Sequence, residues 1–237
     1  MTRADEIAAG IAAVRARIAA ACAAAGRAAD EVTLIAVTKT FPSSDVRLLA
    51  QLGVTDVGEN RDQEARGKHD ACADLPLRWH FVGRLQRNKA RSVASYADVV
   101  HSIDRRELVA ALDQAAAANG RLLSALVQVS LDPAPGSGGV AGRGGAPPSE
   151  VPRLADEIAA AAGLRLGGVM AVAPLGGDAD RAFASLAAVA AVVRDRHPDA
   201  RIVSAGMSGD LEEAIRHGAT HVRVGTALLG RREAQVG

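Results

Sequence analysis

Aromatic side chains are nearly absent from this 237-residue chain: one Trp, one Tyr and three Phe, 2% of the whole. So few flat side chains offer no platform on which nucleic-acid bases could stack. Lysine is as scarce. Of 28 basic residues only Lys39, Lys68 and Lys89 carry an amine. Cysteine is limited to Cys22 and Cys72, without metal-ligand spacing, so both read as packed apolar residues in a reducing, cytoplasmic setting. The six histidines show neither HxH nor HExxH spacing, which argues against a zinc site. Neither sign of charge dominates: the net is +1, which gives no bulk attraction to nucleic acid or to a membrane surface. The basic cluster Arg84, Arg87, Lys89 and Arg91 reads as a solvated helix face. Charge breaks the alanine-rich stretches before the roughly 18–20 apolar residues of a membrane span accumulate. Asp5 and Glu6 at the start do not resemble a secretion signal.

What the chain does have is alternation. Ile7, Ile11, Val14 and Ile18 mark one face of an opening helix that Gly26 ends. Apolar, β-branched-rich runs then recur near 33–37, 54–58, 77–83, 98–103, 121–130, 164–172, 201–205 and 220–224, each reading as a buried strand. Helical patterns separate them, with Ser43 or Ser44 and Ser149 expected as N-caps, a helix over 84–96, and a last turn over 226–229. The Gly/Pro-rich run 133–148 reads as a mobile loop. Eight strand–helix units in one domain over 1–237 predict an α/β fold, a (β/α)8 TIM-type barrel with an extra N-terminal helix. An open doubly wound sheet is the alternative.

Lys39 stands just past the first apolar run, Val32 to Val37, with Phe41-Pro42 ending the element. Position alone favours a lysine snorkelling to solvent. The scarcity of amines sharpens the other reading: partial desolvation there would favour a neutral, nucleophilic amine, a role guanidinium cannot fill. In such barrels the loops after strands seven and eight often hold phosphate through backbone amides and a helix N-terminus. Here those positions carry Gly206-Met207-Ser208-Gly209 and Gly225-Thr226. Barrel closure would set Lys39 roughly 5–10 Å from them, one or two strand spacings away. A small phosphorylated aldehyde fits that separation, and pyridoxal 5′-phosphate is the biological candidate. Arg223, at the end of strand eight, would face its ring.

The motifs VTKTFP, GENRDQE, WHFVGRLQRNK, GVMAVAP, SAGMSGDLEEAI and GATHVRVGTALLG occur in this order. In them the chain resembles the pyridoxal phosphate homeostasis proteins, from about residue 5 to 231, a group similar in fold to the barrel domain of alanine racemase. The resemblance implies that Lys39 forms the Schiff base, that Ser208 with its neighbour Met207, Gly225 and Thr226 holds phosphate, and that Arg223 meets the pyridine nitrogen. It further implies that Asn60 and His80 line the pocket. Arg61 stands where relatives usually have tyrosine, Ala205 where they have methionine, and the glycine-rich loop replaces a shorter segment often carrying lysine. With Tyr96 expected to pack on a helix, no second acid–base group is evident. The expected function is intracellular homeostasis of the cofactor: storage, buffering and delivery without robust catalysis, by a monomer that binds neither nucleic acid nor membrane. Apo forms of cofactor-dependent enzymes are candidate recipients. A slow amino-acid racemase is the rival reading, and a barrel enzyme for another phosphorylated metabolite a third.

Overall fold

The computed structural model describes residues 1–132 and 144–230. Eight parallel strands close into a barrel in sequence order: β1 (Thr33–Val37), β2 (Asp56–Glu59), β3 (Arg78–Phe81), β4 (Val99–Ile103), β5 (Leu123–Gln128), β6 (Leu164–Met170), β7 (Ile202–Ser204) and β8 (His221–Val224). Closure is made by β1 against β8, with Thr33, Leu34, Ile35 and Ala36 opposite His221, Val222, Arg223 and Val224. The open-sheet alternative is thereby excluded. The strands are short and mostly buried on both faces, and β1 (TLIAV) accordingly reads as an apolar run, whereas β3 (RWHF) and β8 (HVRV) alternate because they turn polar side chains into the barrel interior.

Between and after the strands run α2 (Ser43–Gln51), α3 (Asp62–Ala71), α4 (Ala90–Tyr96), α5 (Arg106–Ala118), α6 (Val151–Ala160), α7 (Ala179–Arg196), α8 (Leu211–Arg216) and α9 (Thr226–Leu229), preceded by α1 (Arg3–Ala24). The largest apolar cluster lies between the strands and the helices that cover them. Inside the barrel the filling is mixed: Val99, Leu126 and Met170 form a small apolar group, while His80, His101, Ser204 and Arg223 are buried polar residues.

Helix α1 begins with a capping box, Thr2 Oγ1 accepting from Asp5 N–H and Asp5 Oδ2 from Thr2 N–H. By length and composition it could cross a membrane, with a mean hydropathy of 1.6, which corrects the expectation that no stretch reaches that threshold. Alanine supplies much of that apolarity. Its stripe of Ile7, Ile11, Val14, Ile18 and Cys22 is buried in a cluster with Val222, Val224, Leu228 and Leu229. From the same helix Arg17 pairs with both carboxylate oxygens of Glu212 and donates to Ser208 O at 3.0 Å. The added helix therefore braces the loop after β7.

Several expectations need local correction. Neither Ser43 nor Ser44 caps α2, because Pro42 occupies the N-cap position and both serines are already helical. Ser149 does not cap α6 either; Glu150 stands there without a side-chain cap. Residues 84–96 are not one helix: a 3-10 turn, Arg87–Lys89, leads into α4 at Ala90. Of the run 133–148, residues 133–143 lie outside the described residues. Its last part is packed, Ala146 being 1% exposed and bridged to Val129 beside β5.

Candidate functional site

The carboxyl ends of the strands open onto a cavity of about 740 Å³. Lys39, Asn60, Met207, Ser208, Arg223, Gly225 and Thr226 all line it, together with Val37, Phe41, Val82 and Val172. They arrive from the ends of several strands, with β1, β7 and β8 each supplying more than one, so a single enclosure gathers residues from Val37 to Gly230.

Strand β1 stops at Val37, and the chain turns through Thr38, Lys39 and Thr40. Lys39 is exposed at the cavity mouth, which corrects the expected desolvation: the turn carries it two residues clear of the buried strand. Its amine has no hydrogen-bond or ion-pair partner among the described residues. The turn itself is fixed by buried charge. Lys68 on α3 donates to Thr38 O at 2.6 Å, to Glu59 Oε1 at 2.7 Å and to Glu64 Oε1 at 2.6 Å, which uses all three ammonium hydrogens. Glu59 also accepts from Thr38 Oγ1, and Glu64 from Thr40 N–H. Thr40 sits at φ 69°, a left-handed conformation costing a threonine about 1–3 kcal/mol. Burial pushes the Glu59 carboxyl above its ordinary range even with Lys68 beside it. Sequence reading missed this network. The signal was a glutamate directly after an apolar strand, a charge that needs a partner if the strand is buried.

On the opposite wall, Gly206 takes φ 87°, and a Cβ there would stand 2.7 Å from the Ala214 Cβ, so only glycine allows β7 to turn tightly over α8. The turn is tied by Met207 N–H donating to Asp210 Oδ1 at 2.6 Å. Gly225 follows β8, and a Cβ at that position would lie 3.1 Å from Val37 O. The glycine thus keeps the wall between β8 and β1 bare backbone. Around these backbone turns Ser208 and Thr226 contribute hydroxyls, a chemistry suited to phosphate oxygens. The helices behind them, α8 and α9, are six and four residues long, so amides and hydroxyls rather than a long helix dipole must supply the anion binding.

Arg223, 5% exposed, forms part of the cavity floor. It donates from Nη1 to Ser204 Oγ at 2.7 Å and from Nη2 to Ala171 O at 2.8 Å, which occupies two of its five N–H donors. Burial lowers its pKa to about 10, so it stays cationic at neutral pH. Asn60 leaves a buried Oδ1 without a partner among the described residues, an acceptor at the cavity edge.

His80, expected among the cavity residues, is not one of them. It is 2% exposed within the barrel, bonded to Asp56 and His101 at 2.9 Å each, because the middle of β3 points it into the interior below the mouth. The two departures from the family pattern also lie off the main cavity: Ala205 is buried, and Arg61 lines a neighbouring space. Tyr96 is packed, 3% exposed near the His69 ring, and burial drives its phenol well above the ordinary value.

Comparison with known proteins follows the same lines. A family model described as alanine racemase, N-terminal domain, matches residues 11–233. The pyridoxal phosphate homeostasis protein of Mycobacterium tuberculosis (strain H37Rv) is 45% identical over 246 residues, covering 97% of this chain and 94% of the relative. That of Pseudomonas aeruginosa (strain PAO1) is 40% identical over 227 residues, 96% of each. A solved structure of PipY from Synechococcus elongatus PCC7942 with PLP bound superposes with a TM-score of 0.81 at 33% identity, covering 94% of this chain and all of that one. With 40–45% identity to such relatives over nearly the whole length of both chains, and a matching family model over residues 11–233, the chain belongs to the pyridoxal phosphate homeostasis protein family, on the alanine racemase N-terminal domain fold.

Proposed function

We propose that this protein binds pyridoxal 5′-phosphate at the barrel mouth and serves its homeostasis, storing, buffering and handing over the cofactor. The observation that carries the reading is convergence: an unpartnered amine, two hydroxyls on bare backbone turns and a buried arginine share one cavity of about 740 Å³. That volume suits a ligand of this size, and the Cβ-free wall at Gly225 leaves room for a phosphate against the backbone. Bound, the cofactor supplies an aldehyde that condenses reversibly with a primary amine. Lys39 is the amine for that step. Ser208, Gly225 and Thr226, with the Met207 turn, hold the phosphate; Arg223 donates to the ring nitrogen; Asn60 edges the ring.

Exposure of Lys39 favours a carrier. An amine at an open mouth can be displaced by water or by another amine, as release to a recipient requires. Apo forms of cofactor-dependent enzymes are the recipients in this reading. It places a monomer in the cytoplasm, where Cys22 and Cys72, both buried and free, stay reduced, and assigns it no nucleic-acid or membrane partner.

Borohydride reduction in the presence of the cofactor, followed by peptide mapping, tests the site directly. With only three lysines the map is simple. The label is expected on Lys39, and Lys39→Ala is expected to lose both the label and the visible absorbance of the bound aldehyde. Label on Lys68 or Lys89, or an unchanged spectrum in Lys39→Ala, overturns the assignment.

A further inference from the structure

A line of hydrogen bonds crosses the barrel interior from the cavity floor to its opposite end. Arg223 Nη1 meets Ser204 Oγ at 2.7 Å, and Ser204 Oγ meets His101 Nδ1 at 3.0 Å. His101 Nε2 meets His80 Nδ1 at 2.9 Å, and His80 Nε2 meets Asp56 Oδ1 at 2.9 Å. Asp56 is the first residue of β2, at the amino end of the barrel, whereas Arg223 faces the cavity at the carboxyl end. The four links join β8, β7, β4, β3 and β2, so the line is a product of closure and of no local motif.

Donor counting gives the line a direction. Asp56 accepts from His80 at one oxygen and from Thr55 Oγ1 at the other, at 2.8 Å. Burial, the largest single influence, raises its carboxyl, but the His80 and Thr55 hydrogen bonds together with nearby positive charge hold it below the ordinary value, so it is an acceptor only. His80 must then carry its proton on Nε2. Burial keeps His80 and His101 neutral, at 2% and 0% exposure, so each ring has one N–H. His80 Nδ1 is therefore bare, and His101 donates to it from Nε2. His101 Nδ1 is bare in turn, and the Ser204 hydroxyl must donate to it. That leaves the Ser204 oxygen to accept from Arg223. His221, the remaining buried histidine, stands beside the line with its ring centroid 6.4 Å from that of His80, and bonds Thr220.

We infer that Asp56 is a positioning residue for Arg223, acting across the barrel through His80, His101 and Ser204. The carboxylate fixes which way every link points. It thereby holds Ser204 as a hydroxyl turned away from the guanidinium, with a lone pair always ready for Nη1. Arg223 is anchored in one orientation, and its remaining N–H groups are left for the cavity. The effect at a cofactor ring rests on the function proposed above; the direction of the line does not.

The experiment has two arms. In the first, cofactor-free protein labelled with 15N at histidine is read by NMR, where protonated and bare ring nitrogens have well separated shifts. His80 and His101 are expected as neutral Nε2–H tautomers, and Asp56→Asn, which can donate as well as accept, is expected to shift His101 towards the Nδ1–H form. A cationic His101, an Nδ1–H tautomer in the native protein, or unchanged shifts in Asp56→Asn overturns the inference.

In the second arm the absorbance maximum of bound cofactor is compared in native protein, Asp56→Asn and Ser204→Ala, with borohydride labelling of Lys39 as the occupancy control. Both variants are expected to displace the maximum in the same direction while Lys39 is still labelled. Moved tautomers with an unmoved maximum in both variants refute the positioning role. Absence of any cofactor signal in native protein sinks the proposed function and leaves the first arm to decide the inference. Should Asp56→Asn fail to fold, Ser204→Ala supplies the spectral test and the native tautomers the other.

Discussion

Lys68→Met should be among the most damaging single changes outside the apolar core, by an amount the structure allows to be worked out. The Lys68 side chain is 8% exposed and that of Glu59 1%, so their ion pair is screened little by water. Removing the ammonium leaves Glu59 charged, buried and already without a partner at Oε2. Breaking such a pair from one side costs about 3–5 kcal/mol. For a chain of this size each kcal/mol moves Tm by about 2–4 °C, so a fall of roughly 6–20 °C is expected.

The pH dependence has a definite sign. Burial raises the Glu59 carboxyl above its ordinary value of 4.5 in the folded protein, and loss of Lys68 raises it more. The native state then binds a proton more readily than the unfolded chain. That contribution is fully present below the ordinary value and is lost as pH rises through the elevated one. The penalty of Lys68→Met should accordingly be largest at pH 7 and shrink towards pH 5. Adding Glu59→Gln removes the stranded charge. Thr38 O still accepts from Phe41 N–H at 3.0 Å, so the double variant should recover at least about half of the loss. Urea unfolding of both variants at the two pH values is the assay. A single-variant loss under about 1 kcal/mol, or a double variant no more stable than the single, refutes the reasoning.

Gly225→Val places a side chain 3.1 Å or less from Val37 O and narrows the phosphate wall, so cofactor affinity by titration should drop at least about tenfold, ~1.4 kcal/mol. Gly206→Ala forces a side chain into φ 87° against Ala214, and chemical unfolding should show about 1–3 kcal/mol lost. Ile11→Ala, at a position 4% exposed on the inner stripe of α1, should cost about 2–5 kcal/mol by the same measurement. Purified protein loaded with cofactor should release no racemised alanine under steady-state assay, while Lys39 remains chemically trappable.

The repeating architecture was legible because short apolar runs, most plainly TLIAV of β1 and LSALVQ of β5, recur between helical patterns in a composition dominated by alanine. Lys39, Ser208, Arg223, Gly225 and Thr226 were legible for a related reason: each follows or ends such a run, and barrel closure gathers strand ends. Exposure was not. Whether Lys39 is desolvated depends on a turn whose φ at Thr40 is enforced by Glu64 from another helix. The N-caps failed where proline took the position intended for serine. His80 was placed at the cavity through the family resemblance, whereas the structure holds its side chain inside the barrel, bonded to Asp56 and His101. Its partners could not be read at all. His101 meets Ser204 across 103 positions of sequence, with no spacing to reveal it.

The titratable groups of the cavity bear on the proposed carrier role. Among the described lining residues only Lys39 and Arg223 ionise. Racemisation needs a proton removed at one face of the substrate and another delivered at the opposite face. Lys39 can serve one face. Arg223, even lowered to about 10 by burial, remains a fixed cation at neutral pH, bound to Ser204 and Ala171 through two of its donors. Set against the ring nitrogen as proposed, its guanidinium would leave that nitrogen unprotonated, a state that would draw off carbanion charge poorly. Tyr96, which could otherwise be sought as the missing acid, is buried elsewhere with its phenol driven upward. In the proposed carrier, Lys39 would capture the aldehyde and Arg223 seat its ring, and neither role calls for a second proton-transfer group.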